Sequence, residues 1–238
     1  MSGPSFELAC FDTNAIHLGC ARGVDRLELC SHRDQDGLTP EETMVEFALR
    51  SRQQGHPRLM VMLRPDSDDT LCSEHKMKLV TDAVRQWKNE GVDGFVIGFA
   101  EVSRQTGNLE IAHEWLQFIM KLAPQKEWVF HRLVDRLTDP LQGLKILEAM
   151  GFRRVLSSGG APSAFEGWEN LMAWQAACPG LELLAGGGLR SGPVQDLMNR
   201  YPDRGLWPRA GLHASCIPAG SDSADEEELK RLLLALKS

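Results

Sequence analysis

At 238 residues and 42% hydrophobic, the chain is long enough to bury a sizeable core, yet no run approaches the ~18 consecutive apolar residues of a membrane span. A net charge of −7 argues against a general nucleic-acid binder, which carries a basic face, and pairs such as Arg153-Arg154 are too small to change that. The opening Met1-Ser2-Gly3-Pro4-Ser5 has neither the basic nor the apolar region of a signal peptide, so a cytoplasmic protein is expected, with neither nucleic acid nor membrane as partner.

In chain order, short apolar runs alternate with amphipathic segments of helical length. Phe6–Ala9 comes first, and Asp12-Thr13-Asn14 supplies cap residues for a helix to about Arg22. Arg26–Leu29 follows, then Thr39-Pro40-Glu41-Glu42, which predicts a helix with a hydroxyl cap, proline in its first turn and acids beside the helix dipole. Leu59–Leu63 precedes a helix capped by Ser73. Phe95–Ile97, Trp128–Phe130, Arg154–Leu156, Leu181–Leu184 and Ala210–Leu212 complete eight strands, with helices predicted near 109–122, 138–150, 163–177 and 192–200. The acidic run Asp225–Glu228 ahead of a leucine stripe reads as a solvated helix start. Eight alternating units predict an α/β fold, a (β/α)8 TIM-type barrel forming a single domain over 1–238. Its core spans about 5–216, with a C-terminal helix at about 224–237.

In such a barrel the working groups stand at the C-terminal ends of the strands. Side chains alternate along a strand, which puts Arg26, Glu28 and Cys30 on the barrel side of strand two. The same parity joins Met60, Met62 and Arg64, and likewise Gly211, His213 and Ser215. Glu7 is equally out of place among apolar neighbours. A buried carboxylate must be paired, so Glu7 or Glu28 is expected to meet a cation such as Arg64 or Arg132. The turns Ser157-Ser158-Gly159-Gly160 and Ala185-Gly186-Gly187-Gly188 offer backbone amides for an anion, or simply tight turns.

The six cysteines, 10, 20, 30, 72, 178 and 216, contain no Cys-x-x-Cys pair, so free thiols or metal ligands are expected rather than disulfides. Cys10, Cys30, Cys72 and Cys216 fall at the predicted active end, beside His131 and His213, although Cys10 has the opposite parity to Glu7. His213 and Ser215 lie about 7 Å apart on an extended strand, too far for a nucleophile and its base.

Asp25–Cys30 followed by Gly37-Leu38-Thr39-Pro40 resembles the signature of the CutC copper-homeostasis family. Leu63-Arg64-Pro65, Phe130-His131-Arg132 with Asp135, Leu156–Gly160, Ala185–Gly188 and Leu212–Ser215 resemble later blocks in the same order. The resemblance implies a cytoplasmic, homo-oligomeric barrel with a role in copper tolerance or handling. It carries over Cys10 and Cys30 as copper(I) candidates. Within the likeness the chain departs at 66–72, where Asp66-Ser67-Asp68-Asp69-Thr70 replaces an arginine- and glycine-containing loop and is less suited to an anion.

Two functions are therefore expected of a chain whose partner is a small molecule or a metal. One is copper(I) binding or handling. The other is an enzyme acting on a small metabolite, phosphorylated or not, with Glu28, Arg64, His131, Asp135 and His213 as its catalytic set and the two histidines as acid and base. Glu7, Arg132, Ser158, Gly159, Gly187, Gly188 and Ser215 are the expected ligand-binding residues.

Overall fold

A computed structural model describes residues 4–69 and 73–237. Cys72 and the end of the 66–72 loop lie outside the described residues. Eight parallel strands close a barrel: β1 (Phe6–Cys10), β2 (Arg26–Leu29), β3 (Arg58–Met62), β4 (Gly94–Ile97), β7 (Glu127–Phe130), β8 (Arg154–Ser157), β9 (Glu182–Gly186) and β10 (Gly211–Ala214). Helices alternate with them: α1 (Thr13–Arg22), α2 (Glu42–Ser51), α3 (Glu74–Trp87), α4 (His113–Met120), α5 (Pro140–Met150), α6 (Trp168–Ala177), α7 (Ser191–Arg200) and α8 (Glu226–Lys237). The ring runs β1-β10-β9-β8-β7-β4-β3-β2, so the first strand pairs with the last. No helix of the described residues is long and apolar enough to cross a membrane.

Local signals account for three of the helix starts. Asp12, Ser73 and Asp139 each accept a hydrogen bond from a backbone N–H of the first turn, at Ala15, Lys76 and Gln142. Thr39 does not cap α2, which starts two residues later than expected, after Glu41. The Thr39 hydroxyl instead accepts from the Arg64 N–H at 2.8 Å, tying the loop after β2 to the end of β3. Where one helix was expected from 109, a short antiparallel hairpin intervenes, β5 (Ala100–Val102) with β6 (Leu109–Ile111), and α4 begins at His113.

The strands sort their side chains between two layers. Phe6, Leu8, Leu27, Leu29, Leu59, Val61, Phe95 and Phe130 are fully buried in the layer between sheet and helices. Met60, Met62, Val96 and Val129 pack together inside the barrel, as do Leu156, Leu184 and Ala210 on the opposite wall. At the N-terminal floor the filling changes from apolar to ionic. Glu127 Oε1 accepts from Arg26 at 2.9 Å and Arg154 at 2.6 Å, while its Oε2 stands 2.6 Å from Arg58. Arg154 also pairs with Glu182 at 2.8 Å.

Glu127 is the shared acceptor of three guanidiniums, and its side chain is only 6% exposed. Removing it leaves cations buried without a counter-charge, so Glu127→Ala is expected to destabilise the fold by about 3–5 kcal/mol in urea unfolding. A loss under ~1 kcal/mol would mean that the floor is solvated rather than sealed.

Candidate functional site

A line of buried charge climbs from this floor to the mouth. Parallel register sets Glu7 beside Arg26 on one side and His213 on the other. Arg26 Nε donates to Glu7 Oε2 at 2.7 Å, and His213 Nδ1 lies 2.9 Å from Glu7 Oε1. The other ring nitrogen, Nε2, stands 3.6 Å from Glu28 Oε2, which also accepts from the Cys30 thiol at 3.5 Å. The expected cation for Glu7 is thus Arg26 rather than Arg64 or Arg132, because only Arg26 lies across the register from it.

The electrostatics follow from that geometry. Burial alone would raise the Glu7 carboxyl, but Arg26 and the hydrogen bond with His213 outweigh it and bring its pKa down to about 2. Glu28 is raised, first by burial and then by the Glu7 charge, with His213 opposing. Burial disfavours the His213 imidazolium, yet Glu28 and Glu7 together raise its pKa above the ordinary 6.5. The two acids thus favour the charged form of the ring between them.

A second cluster lies on the opposite wall. Arg64 Nε and Nη2 donate to the two oxygens of Asp69 at 2.7 and 3.1 Å, and its Nη1 donates to Gln35 O at 2.5 Å and Gly37 O at 3.1 Å. Nη2 adds Ser67 O at 3.3 Å, so all five N–H groups are engaged. Arg64, expected to orient a substrate, instead clamps two loops. Its partner, Asp69, lies in the departing 66–72 loop.

His131 ends β7 under the same clamp. Its ring packs so closely on Gly98 that a Cβ there would fall 2.4 Å from it, which is why glycine follows β4. Nδ1 accepts from the Leu133 N–H at 3.2 Å, and Nε2 stands 3.7 Å from Asp69 Oδ1, beyond hydrogen-bond reach. Burial, with Arg64 and Arg136 adding to it against Asp69, lowers its pKa to about 4.

The glycine turns do not behave as expected of an anion cradle. Asp135 Oδ2 accepts from Ser158 N at 2.8 Å, its Oδ1 accepts from Gly160 N at 3.0 Å and Ser157 Oγ at 2.6 Å, and Gly159 N donates to Ser157 Oγ at 2.9 Å. The chain's own carboxylate therefore fills the turn after β8, which corrects the expected ligand roles of Ser158 and Gly159. Asp135 is likewise a fastener, with both oxygens engaged. The N-terminus of α7 is also occupied: Glu228 accepts from Ser191 N at 2.7 Å and Ser191 Oγ at 2.9 Å. Gly187, at φ 111°, lies flat under the Arg132 guanidinium, and a Cβ there would stand 3.2 Å from Arg132 Cζ.

Between these clusters opens a cavity of about 310 Å³. Its wall brings together Glu28, Arg64, His131, Arg132, Asp135, Gly187, Gly188, His213 and Ser215, all expected at the site. Glu7 lies beneath it. Arg33, Asp36, Arg136 and Arg190 also line it but were not foreseen, because they stand in loops whose direction no periodicity encodes. Five arginines face four acids around this mouth, in a chain of net charge −7.

The thiols divide between layers. Cys10 packs between sheet and helices, with Sγ 3.5 Å from Leu8 O, whereas Cys30 packs inside the barrel with Met60 and Met62. Burial pushes both well above the ordinary thiol value, so both stand protonated. The two do not face a common point, and a two-thiolate copper(I) site does not fit them. Among the described residues the closely gathered set of three metal-capable side chains is Glu7, Glu28 and His213, within 4.8 Å of one another.

The CutC family model matches residues 5–203. A CutC family protein of Treponema denticola is 31% identical over 168 residues, covering 70% of this chain, and this chain spans 65% of that relative's length. The human copper homeostasis protein cutC homolog is 30% identical over 191 residues, covering 79% of this chain and 67% of the human protein. A structure solved for a copper homeostasis CutC protein of Streptococcus agalactiae superposes with a TM-score of 0.77 at 18% identity, covering 89% of this chain and 98% of the other. The shared barrel, the ordered motifs and the family match together establish that the chain belongs to the CutC family.

Proposed function

We propose that the barrel mouth binds a small anionic metabolite and moves a proton on it. Glu28 and His213 form the proton-transfer pair, and Arg132 anchors the anion. The observation that carries this reading is the His213 ring, held by Glu7 at 2.9 Å on one nitrogen and facing Glu28 at 3.6 Å on the other, at the base of an arginine-rimmed cavity. A carboxyl and an imidazole in one buried pocket, both with raised pKa, suit proton transfer near neutral pH. Arg132 suits anchoring because its side chain is still 38% exposed, whereas Arg64 is wholly engaged.

A second reading, copper(I) handling, is favoured by one observation: the Cys30 thiol packs with Met60 and Met62 on the inner face, beside Glu28. Thiol and thioether sulfurs are the donors copper(I) prefers. In this reading copper is cargo, and Cys30 is its holder while Cys10 is not.

Three outcomes test these readings. In calorimetric titration with oxalate, malonate and inorganic phosphate, at least one anion binds, and Arg132→Met weakens it roughly tenfold or more, the value of a lost charge-assisted contact. No binding by any of the three would sink the metabolite reading. In competition titration against a copper(I) chelator, Cys30→Ser loses affinity while Cys10→Ser keeps it; equal loss in both, or in neither, removes the copper reading. For the imidazole, the sign follows from a raised folded pKa: its stabilisation is complete below 6.5 and fades as pH climbs past that value. The stability gap between wild type and His213→Gln should therefore narrow from about pH 6 to pH 9. A gap that widens would place the folded pKa on the other side.

A further inference from the structure

Three buried side-chain atoms in residues of the cavity wall make no hydrogen bond within the protein: Glu28 Oε1, His131 Nε2 and Arg132 Nε. Glu28 is 3% exposed and His131 5% exposed, so each is a polar group withdrawn from solvent at the expense of its hydration. Their chemistry differs. Glu28 offers an acceptor and base, Arg132 a cationic donor, and the nature of His131 is fixed by its backbone.

The Leu133 N–H donates to His131 Nδ1 at 3.2 Å, so that nitrogen carries a lone pair. The single proton of the neutral ring must then sit on Nε2. The groups facing the ring are Asp69, Arg64 and Arg136, with Phe130 packed against it. Asp69 would favour an imidazolium, but Arg64 already chelates it through both oxygens and Arg136 stands 3.4 Å from it. Burial adds to the same effect. His131, expected from the sequence to work as an acid or base, is instead built as a permanent neutral N–H donor.

Resting on the reading of the mouth as an anion and proton-transfer site, we infer that its ligand is a small anion bearing an enolisable carbonyl, with His131 Nε2–H donating to the carbonyl oxygen, Glu28 acting on the adjacent C–H and Arg132 holding the anionic group. A cavity near 310 Å³ lies at the lower end of the ~300–1,000 Å³ range of ligand pockets, which limits the ligand to a few carbons. In the step, Glu28 Oε1 takes the α-hydrogen as a proton. The electron pair of the broken C–H bond becomes the carbon–carbon π bond, and the carbonyl π pair moves to oxygen. That oxygen, now an enolate, strengthens its hydrogen bond from His131. Return of the proton to carbon closes the cycle, so no oxidant or reductant enters. His213, 3.6 Å from Glu28, favours the ionised carboxylate ahead of the transfer, against burial and the Glu7 charge. A neutral imidazole donor opposite a carboxylate base is a known solution to carbonyl enolisation.

The probe is oxalate, a planar dianion shaped like the enolate of a 2-oxo acid, compared with malonate and inorganic phosphate in calorimetric titrations. Oxalate should bind most tightly, and His131→Phe should weaken it roughly tenfold, the loss of one buried hydrogen bond. His131→Gln, which keeps an N–H donor, should hold the affinity within about threefold. In parallel, proton–nitrogen correlation spectra of histidine-labelled protein should assign to His131 a proton on Nε2 that persists from about pH 5 to pH 8. The inference is overturned if oxalate binds no better than the other two anions, if His131→Phe and wild type bind it equally, or if His131 carries its proton on Nδ1 or titrates in that range. Binding of phosphate or malonate alone, still lost in Arg132→Met, would remove the carbonyl ligand and leave the anion site standing. No anion binding at all would remove both.

Discussion

The structure depends on one electrostatic constraint: charge buried inside a closed barrel must be neutralised within the barrel. From Glu182 the compensation passes through Arg154, Glu127, Arg26, Glu7 and His213 to Glu28, each member facing the next. Burial penalises every one of these charges, and the cost is met only because neighbours of opposite sign lie across the parallel register. The line has an asymmetric end. At the floor it terminates among several guanidiniums near solvent, whereas at the mouth it terminates in Glu28, whose second oxygen has no protein partner. The carboxylate end of the line thus lies on the side where the cavity opens.

Two fasteners make the mouth rigid enough to use that asymmetry. Arg64 gathers Asp69 and the carbonyls of Gln35, Gly37 and Ser67, so the loops after β2 and β3 cannot move apart independently. Asp135 gathers Ser157, Ser158 and Gly160, joining the segment after β7 to the turn after β8. Both carry charge that, read from sequence alone, resembles substrate-binding charge. In the fold they hold the walls of a cavity that Glu28, His131, Arg132 and His213 also line.

The division between what was legible and what was not has a physical basis. Strand alternation told Leu27 and Leu29 from Arg26 and Glu28, because parity is a local property of the backbone. It also foresaw that His213 faces inward. Partner identity is not local. That Glu7 meets Arg26, and that Arg64 meets Asp69 rather than Glu7 or Glu28, depends on which strands adjoin and on where a loop folds back. The hairpin of Ala100–Val102 with Leu109–Ile111 escaped for a related reason, since three-residue strands are too short to show a period. Thr39 satisfied every local rule for a helix cap and was captured instead by a backbone N–H 25 residues away. The turns at Gly159 and Gly187 were found correctly as turns, but it is not a local property that Asp135 answers the amides of one and that the Arg132 guanidinium packs over the other.

The pairing of β1 with β10 carries a consequence for assembly. These strands are the first and last of the ring, more than two hundred residues apart along the chain, and β10 also delivers His213. During synthesis Glu7 and Arg26 emerge early and the imidazole late. Each nascent intermediate therefore has an unzipped seam and a pocket lacking its ring. Seam closure and delivery of His213 to Glu7 are one event, so the buried line of charge is completed only when the ring of strands closes.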